Sequence, residues 1–270
     1  MIEIAQLSKS FGAVKALDAV NLDIPDSKIF GFIGADGAGK TTLFRIITSL
    51  MLPDTGYVKV NGFDSVNDYK KIRMFIGYMA GRFSLYPDLT VEENISFYAT
   101  IFGTSLEQNY KVIQSVYSQI EPFKKRPAGK LSGGMKQKLA LSCALIHNPE
   151  ILVLDEPTTG VDAVSRKEFW ELLHELKKKG MTIIVSTPYM DEAGQCDEIA
   201  FIHKGKILAN DAPSNISQHF ARFVLAVSAP NPYGLLNHLR SFDHAGAYLF
   251  GQSIHFPPPN SFHPKHYQLF

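Results

Sequence analysis

The chain has 270 residues, enough for one large domain or two modest ones. Hydrophobic residues make up 45% and charged residues 20%, so a packed core is available, and a formal net charge of +1 gives no long-range pull toward nucleic acid. No apolar run approaches the roughly 18 residues needed to span a bilayer, which excludes a membrane-spanning helix.

The start, Met1-Ile-Glu-Ile, has neither the charged nor the apolar region of a signal peptide. The expectation is a cytoplasmic chain whose membrane role, if any, runs through a partner. Residues 1–25 alternate as short strands, with Ile2, Ile4 and Leu7, then Leu17, Val20, Leu22 and Ile24. Lys28-Ile-Phe-Gly-Phe-Ile33 reads as a buried strand, and residues 40–50 as a helix. Residues 56–62 alternate again and close in a turn, which suggests an antiparallel sheet beside the main core. Residues 72–79 read as another apolar strand. Residues 87–147 read as mostly helical, opening with a capping box at Thr90-Val-Glu-Glu93. A second helix covers 105–121, and a third begins at Ser132. Lys124-Lys125-Arg126 is too short for a basic tract and reads as a solvated loop.

The α/β pattern then resumes. Ile151-Leu-Val-Leu154 and Thr182-Ile-Ile-Val-Ser186 are continuous apolar runs, as strands of a parallel sheet require. A helix over 164–179 separates them, and residues 199–208 read as a hairpin. Asp211-Ala-Pro-Ser214 marks a boundary. Beyond it, residues 220–227 read as a strand, 231–240 as a helix and 246–255 as a strand pair. The tail after Pro257-Pro-Pro259 reads as irregular. His255, His263 and His266 are not at a metal spacing, and Cys143 and Cys196 are distant and unpaired, as in a reducing compartment.

Residues 34–41, Gly-Ala-Asp-Gly-Ala-Gly-Lys-Thr, match G-x-x-x-x-G-K-[ST] between a strand and a helix. Gly34, Gly37 and Gly39 let the backbone curl so that its N–H groups converge on phosphate oxygens. The helix start adds donors and partial positive charge. Lys40 can reach the β- and γ-phosphates of a nucleoside triphosphate, and the Thr41 hydroxyl can sit on Mg²⁺. Asp155 and Glu156 end an apolar strand, where a parallel sheet presents its ligand. Asp155 is placed to hold Mg²⁺ opposite Thr41, and Glu156 to polarise an attacking water. Leu131-Ser-Gly-Gly-Met135 opens a helix with Ser132 as its cap and bare amides at Gly133 and Gly134, a second anion site.

In this order the motifs resemble the ATP-binding-cassette (ABC) ATPases over about residues 1–215. The wording at Leu85-Tyr-Pro-Asp-Leu-Thr-Val-Glu-Glu-Asn94 and Tyr189-Met-Asp-Glu192 is most similar to the ATPase subunits of type-2 bacterial ABC exporters. The resemblance implies an α/β fold: a RecA-like P-loop core with an antiparallel β subdomain and a helical subdomain inserted over about 83–147. The cassette would span 1–213, and 214–270 would form a small accessory extension. It implies that Phe11 stacks on adenine. Residues 34–42 form the Walker A loop, so Ala35, Asp36, Ala38 and Thr42 join the glycines, Lys40 and Thr41 around ATP. Leu131, Ser132, Gly133 and Gly134 form the signature, and Asp162 belongs to the D-loop. In such proteins two cassettes face head to tail with each ATP between one Walker A and the opposite signature. A membrane permease is the other partner, contacted near Gly81 to Leu89, where Phe83 and Tyr86 are candidates.

Two positions depart from that pattern. Gly81 stands where the Q-loop Gln belongs, and Pro188 stands where the switch His belongs. Neither can supply the missing side-chain donor. Loss of one preorganised donor typically costs about 10²–10³ in rate. The expectation is a chain that binds ATP and hydrolyses it slowly, paired with a different cassette in a heterodimer or tandem fusion. A soluble ABC ATPase acting on ribosomes or DNA is the alternative. It is disfavoured by the single cassette and the absence of a basic surface in the counts. A P-loop kinase is disfavoured by the second anion loop.

Overall fold

The computed structural model describes residues 1–81, 84–219, 225–242, 247–250 and 253–256. These fall into two compact units, Met1–Ile216 and Ser217–Phe270.

In the first unit, β1 (Ile2–Phe11), β2 (Val14–Ile24), β4 (Thr55–Val60) and β5 (Phe63–Asp64) form an antiparallel sheet in the order β2-β1-β4-β5. The main sheet contains β3 (Ile29–Ile33), β6 (Ile76–Met79), β7 (Ile151–Asp155), β8 (Thr182–Thr187), β9 (Glu198–His203) and β10 (Lys206–Asp211). Its order is β10-β9-β3-β8-β7-β6, parallel except for the β9–β10 hairpin at one edge.

Period-two alternation splits this sheet between two cores. Ile29, Ile33, Leu152, Leu154, Ile183 and Val185 face one way and pack with the helices α3 (Val91–Ile101), α4 (Leu106–Tyr117), α5 (Gly133–Leu145) and α6 (Ala163–Lys178). Phe30, Phe32, Ile151, Val153 and Ile184 face the other way. They pack with α1 (Lys40–Ile47) and the antiparallel sheet. Both faces are covered, which is why β3, β7 and β8 are buried at every position.

Local chemistry sets the helix starts. Thr90 with Glu93, and Ser105 with Gln108, form reciprocal capping boxes for α3 and α4. The Ser132 hydroxyl accepts from Met135 N at the head of α5, and Asp162 accepts from Val164 N and Ser165 N at the head of α6. Each such cap is worth about 1 kcal/mol.

The expected single strand over 72–79 is corrected. Tyr69–Phe75 is a helix, α2, and only Ile76–Met79 is strand. Ile72 and Ile76 are buried while Lys71, Arg73 and Met74 are exposed, a spacing of four rather than two. The first helix stops at Ile47 rather than 50, and α4 stops at Tyr117, before a short 3-10 turn at Glu121–Phe123 that contains Pro122. The unit closes with α7 (Met190–Ala193) and, from Pro213, α8 (Pro213–His219).

The second unit contains β11 (Leu225–Val227), α9 (Pro232–Phe242), β12 (Tyr248–Phe250) and β13 (Ser253–Phe256). Its antiparallel sheet has the order β11-β13-β12, with Leu236, Ala247 and Ile254 as its buried centre. The expected strand start at 220–224 and the tail, including His263 and His266, lie outside the described residues. Among the described residues, no group of three or more His, Cys, Asp or Glu could hold a metal, and no helix is long and apolar enough to cross a membrane.

Candidate active site

Strand order brings the chemistry together. In parallel register Ile33 pairs with Thr187, Asp155 with Ser186, and Met79 with Leu154. The loops that leave β3, β6, β7 and β8 therefore start at one edge of the sheet. They carry, respectively, residues 34–39, Ala80–Gly81, Glu156 and Pro188. This is the carboxyl edge, where open parallel sheets bind ligands.

The 34–39 loop is shaped by two glycines with different duties. Gly39 has φ +113, which a side chain rarely adopts. Gly34 is held by packing instead, since a Cβ there would lie 2.3 Å from the Ile202 carbonyl oxygen. The loop backbone turns on Ala38 N, which donates to the Ala35 carbonyl at 3.1 Å. Lys40 is buried, 4% exposed, and its ammonium donates to the carbonyls of Gly34 (2.6 Å) and Ala35 (3.1 Å). It also lies 3.2 Å from Glu156 Oε1. Asp36 and Gly37 are exposed at the loop tip, and Thr42 follows Thr41 in α1.

Asp155 is 3% exposed and fully engaged. Thr41 Oγ1 donates to its Oδ2 at 2.7 Å, and Ser186 Oγ donates to its Oδ1 at 2.7 Å. Ser186 Oγ in turn accepts from Glu156 N at 2.9 Å. Thr41 and Asp155, 114 residues apart, thus present adjacent hard oxygen atoms, the donor type Mg²⁺ prefers. Ser186 was not singled out from the sequence. The only signal for it was its place at the end of the apolar run 182–186. Glu156 has φ +49, a left-handed conformation that is unusual for a glutamate.

Phe11 ends β1, is half exposed, and has the Lys9 ammonium 5.8 Å from its ring centre. Leu131 to Gly134 lie at the head of α5, which packs against α3, α4, α6 and β6, whereas α1 packs against β2, β4 and β7. The two glycine-rich loops thus belong to differently packed bodies of the cassette. Asp162 is held below the usual carboxylate pKa, first by the Ser165 amide.

Beside the carboxyl edge, a groove of about 480 Å³ runs between α2, β6 and the helical insertion, walled by residues such as Leu50, Met74, Ile101 and Phe102. Tyr86 packs edge-on against Phe97 at 4.9 Å. The buried Asn94, also missed from sequence, fixes the 86–90 loop: its Oδ1 accepts from Tyr86 N, and its Nδ2 donates to the carbonyls of Tyr86, Leu89 and Thr90. Phe83 lies outside the described residues. A hollow of about 590 Å³ at the opposite end of β7 and β8 contains none of the expected site residues.

A P-loop on β3, a carboxylate pair at the end of β7 and a helical insertion between them define a P-loop nucleoside-triphosphatase of the cassette class. The family model described as ABC transporter matches residues 17–159. The chain is 40% identical over 223 residues to the probable multidrug ABC transporter ATP-binding protein YbhF of Escherichia coli K12, covering 82% of this chain and 39% of that protein. It is 34% identical over 245 residues to the Nod factor export ATP-binding protein I of Rhizobium sp. strain N33, covering 89% of this chain and 81% of that protein. It superposes with TM-score 0.72 and 26% identity on the dimeric post-hydrolysis state of the ATP-binding cassette MJ0796 bound to ADP and Pi, over 79% of this chain and 99% of that one. The chain belongs to the ABC transporter ATP-binding cassette family and is an ATPase of that class.

Proposed function

We propose that this chain is the energy-coupling cassette of an ABC exporter, with a nucleotide site that binds Mg-ATP well and hydrolyses it slowly. The single observation that carries the reading is the convergence of Lys40, Thr41, Asp155 and Glu156 at one sheet edge whose remaining positions hold Gly81 and Pro188. Lys40 and the amides of 35–41 would clasp the triphosphate, with adenine against Phe11. Thr41 and Asp155 would hold Mg²⁺, which neutralises phosphate charge when bound. Glu156 orients the attacking water. Ser186 holds both acids in register by donating to Asp155 and accepting from Glu156 N.

The residues at 131–134, with Asp162, would complete the site of a second cassette. That cassette would carry an intact switch His, in a heterodimer or tandem fusion. A permease segment would dock in the groove beside Tyr86, at the inner face of the membrane. The exporter direction is supported by the names of the relatives above, and a formal net charge of +1 gives no long-range pull toward nucleic acid.

Equilibrium titration with Mg-ATP tests the clasp. Lys40→Ala is expected to weaken binding about 10- to 100-fold through loss of a charged hydrogen bond. No affinity in the unmodified chain would sink the reading.

A further inference from the structure

The segment that follows Pro188 is tied to helix α6 and to the loop after Glu156 by one buried cluster. Glu192, on α7, is 2% exposed, and its Oε1 accepts from the Thr158 hydroxyl at 2.6 Å. Thr158 is itself buried and stands two residues after Glu156. On the other side, the Arg166 guanidinium lies over the Tyr189 ring at 4.8 Å, 3.6 Å from Asp191 and 3.7 Å from Glu192 Oε1. Arg166 sits in the first turns of α6, and its own amide donates to the carbonyl of Asp162 at 2.9 Å. One guanidinium thus meets three of the four residues after Pro188.

The cluster is incompletely closed. Arg166 Nε and Glu192 Oε2 are both shielded from solvent, and neither has a hydrogen-bond partner among the described residues. Arg166 Nε stands 3.7 Å from Glu192 Oε1, the oxygen that accepts from Thr158, which is too far for a hydrogen bond. A shift of about 1 Å would let Nε donate to that carboxylate. The remainder of α6 is already fastened to the same segment, by His174 with Gln195 at 3.2 Å and by Lys177 with Asp197 at 2.9 Å.

We propose that Arg166 and Glu192 are positioning residues for hydrolysis, tying residue 188 and the Glu156 loop to the helix that Asp162 begins. Closure of a partner cassette against Asp162 moves the start of α6. The pair then closes, and Thr158 carries the movement to Glu156. This rests on the roles given above to Glu156, residue 188 and Asp162.

The chain's single tryptophan is a built-in reporter. Trp170 is 4% exposed, lies one turn beyond Arg166 and shares a hollow with Arg166, Asp191 and Glu192. Glu192→Gln, Arg166→Met, the double variant and Arg166→Lys would be compared with the unmodified chain. The readouts are Mg-ATP binding with a labelled nucleotide, Trp170 emission, and single-turnover hydrolysis. Mg-ATP is expected to change Trp170 emission when it draws two copies of the unmodified chain together, and paired copies without that change would overturn the proposal. Glu192→Gln and Arg166→Met should keep ATP affinity within about threefold, lose the emission change and hydrolyse about 10- to 100-fold more slowly, with losses that do not add in the double variant. Arg166→Lys should recover part of the rate. Wild-type rates and emission changes in the single variants would overturn the proposal, as would additive losses, or affinity and melting temperature falling together with rate. Absence of Mg-ATP binding in the unmodified chain would instead overturn the cassette reading, and the proposal with it.

Discussion

Gly81 lies against the strand end that carries Asp155: a Cβ built on Gly81 would stand 2.9 Å from the Asp155 carbonyl oxygen. The neighbour is backbone, so it cannot swing aside. Gly81 is therefore fitted to this site as well as missing the expected glutamine.

Reinstating that glutamine should consequently fail. Gly81→Gln is expected to destabilise the cassette by about 1–3 kcal/mol, the usual cost of overpacking, without raising the hydrolysis rate. Denaturant unfolding and a phosphate-release assay on the same preparation check both halves. A faster enzyme of unchanged stability would contradict the close approach.

Glu156 separates strain from chemistry. Its left-handed backbone costs on the order of 1 kcal/mol, which glycine would relieve. Glu156→Gly and Glu156→Gln should both stop hydrolysis while ATP still binds. The glycine variant should lie within about 1 kcal/mol of the parent in stability, because relief of strain offsets the lost contact with Lys40 and the added freedom of the unfolded chain.

His147 gives a pH signature. Its ring stacks on Phe102 at 3.8 Å and its Nε2 pairs with the Ile76 carbonyl at 3.1 Å, while Nδ1 is buried with no partner among the described residues. Burial holds its pKa below the ordinary 6.5 despite that hydrogen bond. The unfolded chain then binds the proton more readily than the folded one. The stability His147 contributes is present above the unfolded-state value and declines as pH falls through it. The melting-temperature gap between the parent and His147→Gln should shift against the parent between about pH 7.5 and pH 5. A gap independent of pH would contradict the assignment.

The two thiols should be silent. Burial pushes the Cys143 pKa far up, and that of Cys196 to about 12 with help from Asp197 and Glu192. Neither should react with iodoacetamide near pH 8 in the folded chain, and both should react on denaturation, counted by mass.

Much of this molecule was legible where chemistry is local. The phosphate loop is readable because its backbone shape demands glycine, lysine and threonine within eight consecutive residues. β3, β7 and β8 are readable because a strand covered on both faces is apolar throughout. The boundary between α2 and β6 was hidden because Ile72 to Met79 is an apolar stretch whose first half has helical spacing and whose second half does not. Ser186, Asn94 and the Arg166–Glu192 cluster were illegible for a different reason. Their partners lie 4 to 34 residues away, and only the fold decides which polar side chain meets which. Pro188 was visible because the motif around it leaves one residue type expected.

Position 188 already carries a Cβ, and Tyr189 N beside it is satisfied by Thr187 Oγ1 at 3.0 Å, so the structure leaves that exchange open where it bars the one at 81. The most direct measurement is the single-turnover rate of ATP hydrolysis by the purified chain against Pro188→His at saturating Mg-ATP. A poor trigger on a sound clasp predicts a rise of about 10²–10³ in rate with ATP affinity unchanged. An unmodified chain that hydrolyses ATP as fast as the histidine variant would contradict it.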